Sequence, residues 1–423
     1  MRFAICDWQL ARERNRVANS LKLCDLTQFY SPFSGGVKRY LHEKIAYIQD
    51  ATPHKHVLIV PGAKSECVSS ERSRVYTIRS PLVSRTSRYR LLVDLRALEE
   101  IVEREHPDLI ESADPYQIGW RARRIGRALR IPVLGFYHSH FAEAHIRGVT
   151  RFFGDAAMRW ARRYVRNLYN SYQATLVPSA GLAAELLKWG VRDVRAVALG
   201  INTNIFAPVP DDVRATRASF GVPDSRTLLL YVGRLSPEKN TLSLFRAFEI
   251  LNEHAPERFH LLVIGDGRER RHVQELQTRC GHTTWLPYCA EPAELARFYR
   301  AADLFVHPGT QETFGLVALE SQACGTPVVG VRGSYMDEVI RHDQSYWAEE
   351  STPQSLATAI EIAIGCDLDQ LGRGAATAVR EEFSWPRIFQ RLFYIYTEVC
   401  SKYATQHGPR GNAAIHNSPV SPI

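Results

Sequence analysis

Two glutamates eight positions apart, Glu312 and Glu320, bracket a stretch whose residue types suit an anion lying beside a polyol. The stretch is HPGTQETFGLVALESQACGTPVVG, residues 307–330. It opens at the end of an apolar run, passes through a short loop and enters a predicted helix over 315–323, which Gly325 closes and Pro327 prevents from continuing. A helix N-terminus carries free N–H groups and a partial positive charge, so it is an anion site. Phe314, Gly315 and Leu316 would present those amides, and Gly315, lacking a Cβ, lets a diphosphate come close. Glu312, just ahead, cannot neutralise phosphate but can accept hydrogen bonds from sugar hydroxyls. Glu320, little more than one turn further on, can reach a ribose hydroxyl pair on the other side of the diphosphate. The plain alternative is that Glu312 only favours the helix dipole and Glu320 is a solvated helix residue.

A second feature is YVGRLSPEKN, residues 231–240. Gly233 opens a turn, and Arg234 and Lys239 put two cations on one loop, Arg as a fork and Lys as a point charge, fit to hold a diphosphate and stabilise it as it leaves. In YSPFSGGVKRYLHE, residues 30–43, Gly35 and Gly36 precede a helix and allow backbone N–H groups to approach an anion or a sugar. FYHSHF, residues 136–141, ends a buried strand, and His138 there could hydrogen-bond a sugar hydroxyl or steer an acceptor, with His140 as a weaker substitute. VIGDGRERR, residues 263–271, sets Gly265 and Gly267 where a dinucleotide fingerprint begins, but Arg270 stands in place of its third glycine, which argues against NAD. A nucleotide base could still rest on that turn. Finally, residues 151–166 interleave arginines with Phe152, Phe153, Trp160 and Tyr164, as a packed helix with a basic outer face or as a helix lying on a membrane surface.

These residues need elements to hold them. Apolar runs predict strands over 21–26, 56–60, 75–78, 108–111, 132–137, 174–177 and 196–199, with amphipathic stretches over 37–49, 91–105 and 118–129 between them. A second series of strands covers 227–232, 260–264, 284–286, 303–306 and 327–330. Strands alternating with helices of this length mean parallel sheets built from βαβ units. Residues 204–224, with Pro208, Pro210, Asp211, Asp212 and Pro223, read as the linker. The expected fold class is α/β, with two Rossmann-like doubly wound domains facing an inter-domain cleft. The expected limits are a flexible extension over 1–20, a first domain over 21–205, a second over 206–385, a helix over 386–402 and a disordered tail over 403–423; the family resemblance given below implies that the first domain binds the acceptor, that the second binds the nucleotide sugar and that the helix crosses back to the first domain. Ligands should sit on loops after the strands.

At 423 residues the chain exceeds what one core usually supports, in keeping with two domains. Apolar residues make up 45% and charged ones 23%, as in soluble globular proteins. No apolar run is long enough to cross a bilayer, and the first 20 residues lack the apolar stretch of a secretory signal. The eight cysteines show no ligand spacing, which points to reduced thiols in a cytoplasmic protein. Residues 1–205 hold 32 Lys and Arg against 19 Asp and Glu; the remainder holds 21 against 26, so a +13 half joins a −5 half. The basic half suits an anionic acceptor or an anionic membrane surface.

Taken together, Glu312–Phe314–Gly315 followed by Glu320 (an E-x7-E pattern), GRLSPEKN, the paired glycines of SGGV and FYHSH resemble, in order and spacing, the family-four group of retaining glycosyltransferases, glycosyl transferases group 1, whose fold is GT-B. The resemblance covers residues 21 to about 400. It implies that Arg234 and Lys239 bind the donor diphosphate, Glu312 holds the transferred sugar with the Phe314 and Gly315 amides near sugar and phosphate, and Glu320 holds the ribose. It implies that Gly36 and Gly35 lie beside the donor phosphate and that His138 contacts the sugar near the reacting centre. HSH departs from relatives that carry an acidic residue after His-Ser. The implied reaction moves a hexose from GDP-mannose or a UDP-hexose to a hydroxyl of a saccharide or lipid-linked cell-envelope acceptor, with retention and with no metal or other cofactor. The expected location is the cytoplasm, with peripheral association at the inner face of the membrane. The rival readings are another GT-B enzyme, such as a sugar phosphorylase or nucleotide-sugar epimerase, and an anionic-surface or nucleic-acid binding protein. The basic half carries no nucleic-acid motif, so no nucleic acid is expected as a partner.

Overall fold

The alternating pattern folds, in a computed structural model, into two parallel-sheet units. The structure describes residues 20–31, 35–83, 88–138, 154–209, 213–289 and 291–408. The predicted extension, the tail beyond 408, His140, the start of the basic–aromatic stretch, and Pro210, Asp211 and Asp212 lie outside the described residues.

The first sheet has eight strands: β1 Lys22–Leu26, β2 Lys55–Gly62, β3 Glu66–Ser69, β4 Ser73–Arg79, β5 Leu109–Ser112, β6 Val133–Phe136, β7 Ala174–Val177 and β8 Val194–Ala196. Their order is β3-β4-β2-β1-β5-β6-β7-β8. β3 runs antiparallel to β4, while β4, β2, β1, β5 and β6 pair parallel. β2 is a continuous apolar run with six successive buried residues, the pattern of a strand covered on both faces. The helices that follow are α1 Gly36–Ala51, α2 Leu95–Glu105, α3 Gln117–Leu129, α4 Gly154–Tyr169 and α5 Ala180–Lys188.

The second sheet has five strands, β9 Thr227–Val232, β10 Phe259–Ile264, β11 Thr283–Leu286, β12 Leu304–His307 and β13 Val328–Gly330, all parallel in the order β11-β10-β9-β12-β13. The remaining helices are α6 Val213–Ser219, α7 Thr241–His254, α8 Arg270–Arg279, α9 Pro292–Ala301, α10 Leu316–Ala323, α11 Pro353–Ala363, α12 Leu368–Phe383 and α13 Trp385–His407. By contact, one unit comprises residues up to 137, 164–175 and from 392 on; the other comprises 138–163 and 176–391.

Four local readings change. The helix predicted from 91 starts at Leu95, because the Asp94 carboxylate takes the Ala97 amide at 3.0 Å and caps it there. The strand predicted over 196–199 is β8, ending at Ala196. The stretch read as linker contains α6: its prolines flank the helix and none lies inside it, and Arg217 is buried, donating to Ala301 O at 3.2 Å and pairing with Asp303 at 3.0 Å. The last helix runs to His407, past the expected 402. The edge strand β3, four exposed residues without alternation, carries no pattern that sequence reading could find.

The first unit buries a charge network. Lys44 on α1 is fully buried and donates to Asp25 Oδ1 on β1 (2.9 Å) and Tyr396 Oη on α13 (2.7 Å), and lies 3.5 Å from Glu111 on β5. His56 on β2 bonds the other Asp25 oxygen, and Tyr40 and Tyr396 both donate to Glu111. Burial pushes the Asp25 carboxyl up, but Lys44 and His56 outweigh it and hold Asp25 well below the usual range. Burial dominates at Glu111, whose pKa is raised despite Lys44. Buried charges of this kind hold only while every partner is present.

Candidate active site

The order of the second sheet places its switch point between β9 and β12, from which chains leave toward opposite edges. The loops after these two strands carry the segments 233–240 and 308–315, so the topology brings Lys239 and Glu312 together.

After β9 the chain passes Gly233, Arg234 and Leu235, makes a single 3-10 turn, Pro237–Lys239, and enters α7 through Asn240 in the left-handed region. Asn240 Nδ2 donates to Pro308 O at 3.2 Å, which ties this loop to the one after β12. Gly309 lies against it as well: an added Cβ would meet the Lys239 Cα at 3.3 Å. Phe314 anchors the second loop by burying its ring against Phe383. Gly315 follows with φ +94°, where a Cβ would also press on Met336 Cγ at 2.8 Å, and α10 begins at Leu316. No side chain caps that end of α10, so backbone amides face outward there.

The centre of the site is one carboxylate oxygen. Glu312 Oε1 receives the Lys239 ammonium and, at 3.0 Å, His307 Nε2. Glu312 is only 13% exposed and His307 2%. Burial pushes the Glu312 carboxyl up, but Lys239 and His307 overcome it and hold the pKa far below the usual carboxylate range. Glu312 is therefore ionised at any working pH, able to accept hydrogen bonds and unable to donate one. His307 Nδ1 is buried without a hydrogen-bond partner, while its Nε2 faces Glu312 Oε1 at 3.0 Å.

The other sequence-predicted residues fall as follows. Arg234 is two-thirds exposed and bonds only loosely to Glu238, at 3.4 Å, so its guanidinium can turn toward a ligand. Glu320 is buried inside α10 and accepts from Tyr299 Oη at 3.0 Å, so it is a fixed acceptor and not a solvated side chain. Gly265 and Gly267 have a packing reason: an added Cβ would collide with the carbonyl oxygens of Gly233 and Leu235. The two loops are also stitched by Leu235 N to Asp266 O at 3.0 Å and Gly233 N to Ile264 O at 3.0 Å. In the first unit Gly35 precedes α1 with open space around it, so packing does not demand glycine there. His138, half-buried, follows β6. Among the described residues no three His, Cys, Asp or Glu side chains gather as metal ligands, no helix is long and apolar enough to cross a membrane, and the cysteines are free. Sequence reasoning missed His307 and Asn240. His307 is the last residue of β12, and only the topology shows that it faces Glu312.

Residues 34–205 match Glycosyltransferase Family 4 and residues 212–373 match Glycosyl transferases group 1. A D-inositol 3-phosphate glycosyltransferase of Thermobispora bispora is 32% identical over 301 residues, 68% of this chain and 69% of that protein. The chain belongs to the group 1 glycosyltransferases. A GDP-mannose-dependent alpha-mannosyltransferase of Corynebacterium glutamicum is 28% identical over 322 residues (75% of this chain, 73% of that one). A GDP-mannose-dependent alpha-(1-6)-phosphatidylinositol dimannoside mannosyltransferase of Mycobacterium tuberculosis is 28% identical over 374 residues (87% and 93%). The fold matches that of solved glycosyltransferases. Sucrose-phosphate synthase from Thermosynechococcus elongatus superimposes with a TM-score of 0.72 at 20% identity, covering 91% of this chain and all of that one. Anabaena HepE in complex with UDP-glucose gives 0.68 at 18%, covering 89% and 100%. This is the GT-B fold of two Rossmann-like units, and this glycosyltransferase uses a nucleotide-sugar donor.

Proposed function

We propose that this glycosyltransferase moves a hexose, from GDP-mannose or a UDP-hexose, to a hydroxyl of a saccharide or lipid-linked cell-envelope acceptor, with retention at the anomeric carbon and without a metal. The observation that carries the reading is the ionised Glu312, fixed by Lys239 and His307 beside the uncapped start of α10. In this reading Glu312 accepts hydroxyls of the transferred sugar. The amides of Phe314, Gly315 and Leu316 take the donor phosphate, and Glu320 takes the ribose. Arg234 and Lys239 neutralise the diphosphate as it departs, the step at which charge develops and fixed cations act most strongly. The acceptor hydroxyl gives its proton to a departing phosphate oxygen on the same face, so inversion by a distant base is avoided. Gly233, Gly265 and Gly267 keep the nucleotide side of the loops low, and Gly35, Gly36 and His138 complete the donor contacts.

The relatives support the choice of donors: two named above are GDP-mannose-dependent, and HepE was solved with UDP-glucose. The face of α4 bearing Arg159, Trp160, Arg163 and Arg166, all exposed, supports peripheral association with an anionic membrane from the cytoplasmic side. A panel of labelled nucleotide sugars, with the anomeric configuration of the product read by NMR, tests the assignment. An axial-to-axial transfer that survives EDTA is the expected result. An inverted product, or a strict requirement for divalent metal, contradicts the mechanism. Release of sugar 1-phosphate, or an altered donor with no acceptor used, would favour the phosphorylase or epimerase reading.

A further inference from the structure

The donor site leaves the acceptor undefined, and the first unit holds an unused feature that bears on it. β2 and β4 pair parallel and end together, Gly62 opposite Arg79. Beyond their carboxyl ends, where open α/β sheets bind ligands, lies a cavity of about 450 Å³ lined by Ala63, Arg79, Ser80, Pro81 and Arg90. The two arginines come from different chain segments. Arg79 ends β4, with its amide held by Ser65 Oγ at 3.0 Å. Arg90 lies across a hairpin closed by Val83 N to Tyr89 O at 2.9 Å and Leu91 N to Pro81 O at 3.1 Å, and its guanidinium is pinned by Ser80 O at 2.7 Å.

Neither guanidinium meets a carboxylate among the described residues. Arg74, earlier on the same strand, pairs with Glu105 at 2.8 Å, and Arg96 and Arg121 on the neighbouring helices pair with Glu100 and Glu99. Two cations that line one cavity, with no counter-ion among the described residues, favour an anion there. Guanidinium forks match the oxygens of a phosphate, and two of them match its double charge.

We propose that this cavity is a phosphate subsite: the acceptor carries a phosphate group held by Arg79 and Arg90. The proposal rests on the glycosyltransferase reading for the word acceptor, but the anion site itself stands without it. Its phosphate can belong to a soluble sugar phosphate or to a lipid headgroup. The exposed Leu82 and Val83 on the same hairpin make the second source worth a separate arm.

The experiment uses the full chain and two probes. Glucose 6-phosphate, against glucose, is titrated calorimetrically. Vesicles of phosphatidylglycerol in phosphatidylcholine, against phosphatidylcholine alone, are scored by sedimentation. Arg79→Ala removes an exposed side chain that makes no hydrogen bond or ion pair among the described residues, so it should fold normally; Arg79→Glu reverses the charge; Arg90→Gln keeps a donor toward Ser80 O. Arg96→Ala, a paired surface arginine, is the control. The expected result is binding of one phosphate-bearing probe, weakened about tenfold by Arg79→Ala, further by Arg79→Glu, and unaltered by Arg96→Ala. Binding of glucose 6-phosphate assigns the site to soluble acceptors, and binding of the anionic vesicles alone assigns it to lipid headgroups. Binding of neither probe, or equal binding by Arg79→Glu, overturns the proposal. Acceptor-free hydrolysis of the donor by the wild-type protein separates the two readings: hydrolysis without phosphate binding speaks against the subsite only, and phosphate binding without any turnover of donors speaks against the transferase reading only.

Discussion

The carboxyl ends of the two sheets hold charge in opposite ways. In the second unit the charged groups answer one another: Glu312 takes up both Lys239 and His307 and is fixed before any ligand arrives. In the first unit a set of buried paired charges surrounds Lys44, while Arg79, at the end of β4, and Arg90 meet no carboxylate among the described residues. A site that accepts the same donor at every turnover gains from prepaid electrostatics. A surface left with uncompensated charge gains specificity only when its ligand supplies the counter-ion.

Lys239→Ala strikes the answered side hardest. It strips Glu312 of its strongest partner, and transfer should fall by about 10²–10³-fold while circular dichroism stays that of the folded protein. Unaltered turnover would break the comparison at its centre. Gly267→Ala should come next, as a loss of stability and not of chemistry. The added methyl collides with the Leu235 carbonyl, costing about 2–4 kcal/mol in denaturant unfolding.

His307→Ala should lower turnover by roughly ten- to hundredfold through loss of one hydrogen bond to a charged group, and His307→Gln, which keeps an N–H donor, should recover part of it. Equal loss in both variants would mean that His307 serves only packing.

The smallest effect belongs to the first unit. Burial pushes Asp114 up to about 7 from 3.8, against the opposing Tyr116 and Gln28 amides. The folded protein thus holds this proton more tightly than the unfolded chain. The stabilisation is complete below about pH 3.8 and is lost as pH rises through about 7. In Asp114→Asn this share of the decline in Tm should vanish. A variant with the wild-type slope would remove Asp114 from the account.

The same contrast explains what the sequence disclosed. Both sheets follow from runs such as LLLYV after Thr227, because strands buried on both faces write themselves as unbroken apolar stretches. Glu312, Lys239 and Gly315 were legible because turn, helix start and charge fall within short segments. His307 was not, since a histidine ending a strand looks the same whether it packs or points at a carboxylate 3.0 Å away. Arg79 and Arg90 were lost among 53 basic residues, because the missing counter-ion is a property of space and not of spacing. The helix α6 was hidden by prolines that flank it without entering it, and Arg217 makes it bury a charge that sequence alone would leave in solvent.

The central claim is that Glu312 grips the sugar and not the nucleotide. Its most direct test is Glu312→Gln, measured with the preferred nucleotide sugar and with the corresponding nucleoside diphosphate. The account expects transfer to drop by about 10²–10³-fold while the nucleoside diphosphate binds within a few-fold of wild type. A folded Glu312→Gln protein that transfers at the wild-type rate would contradict it.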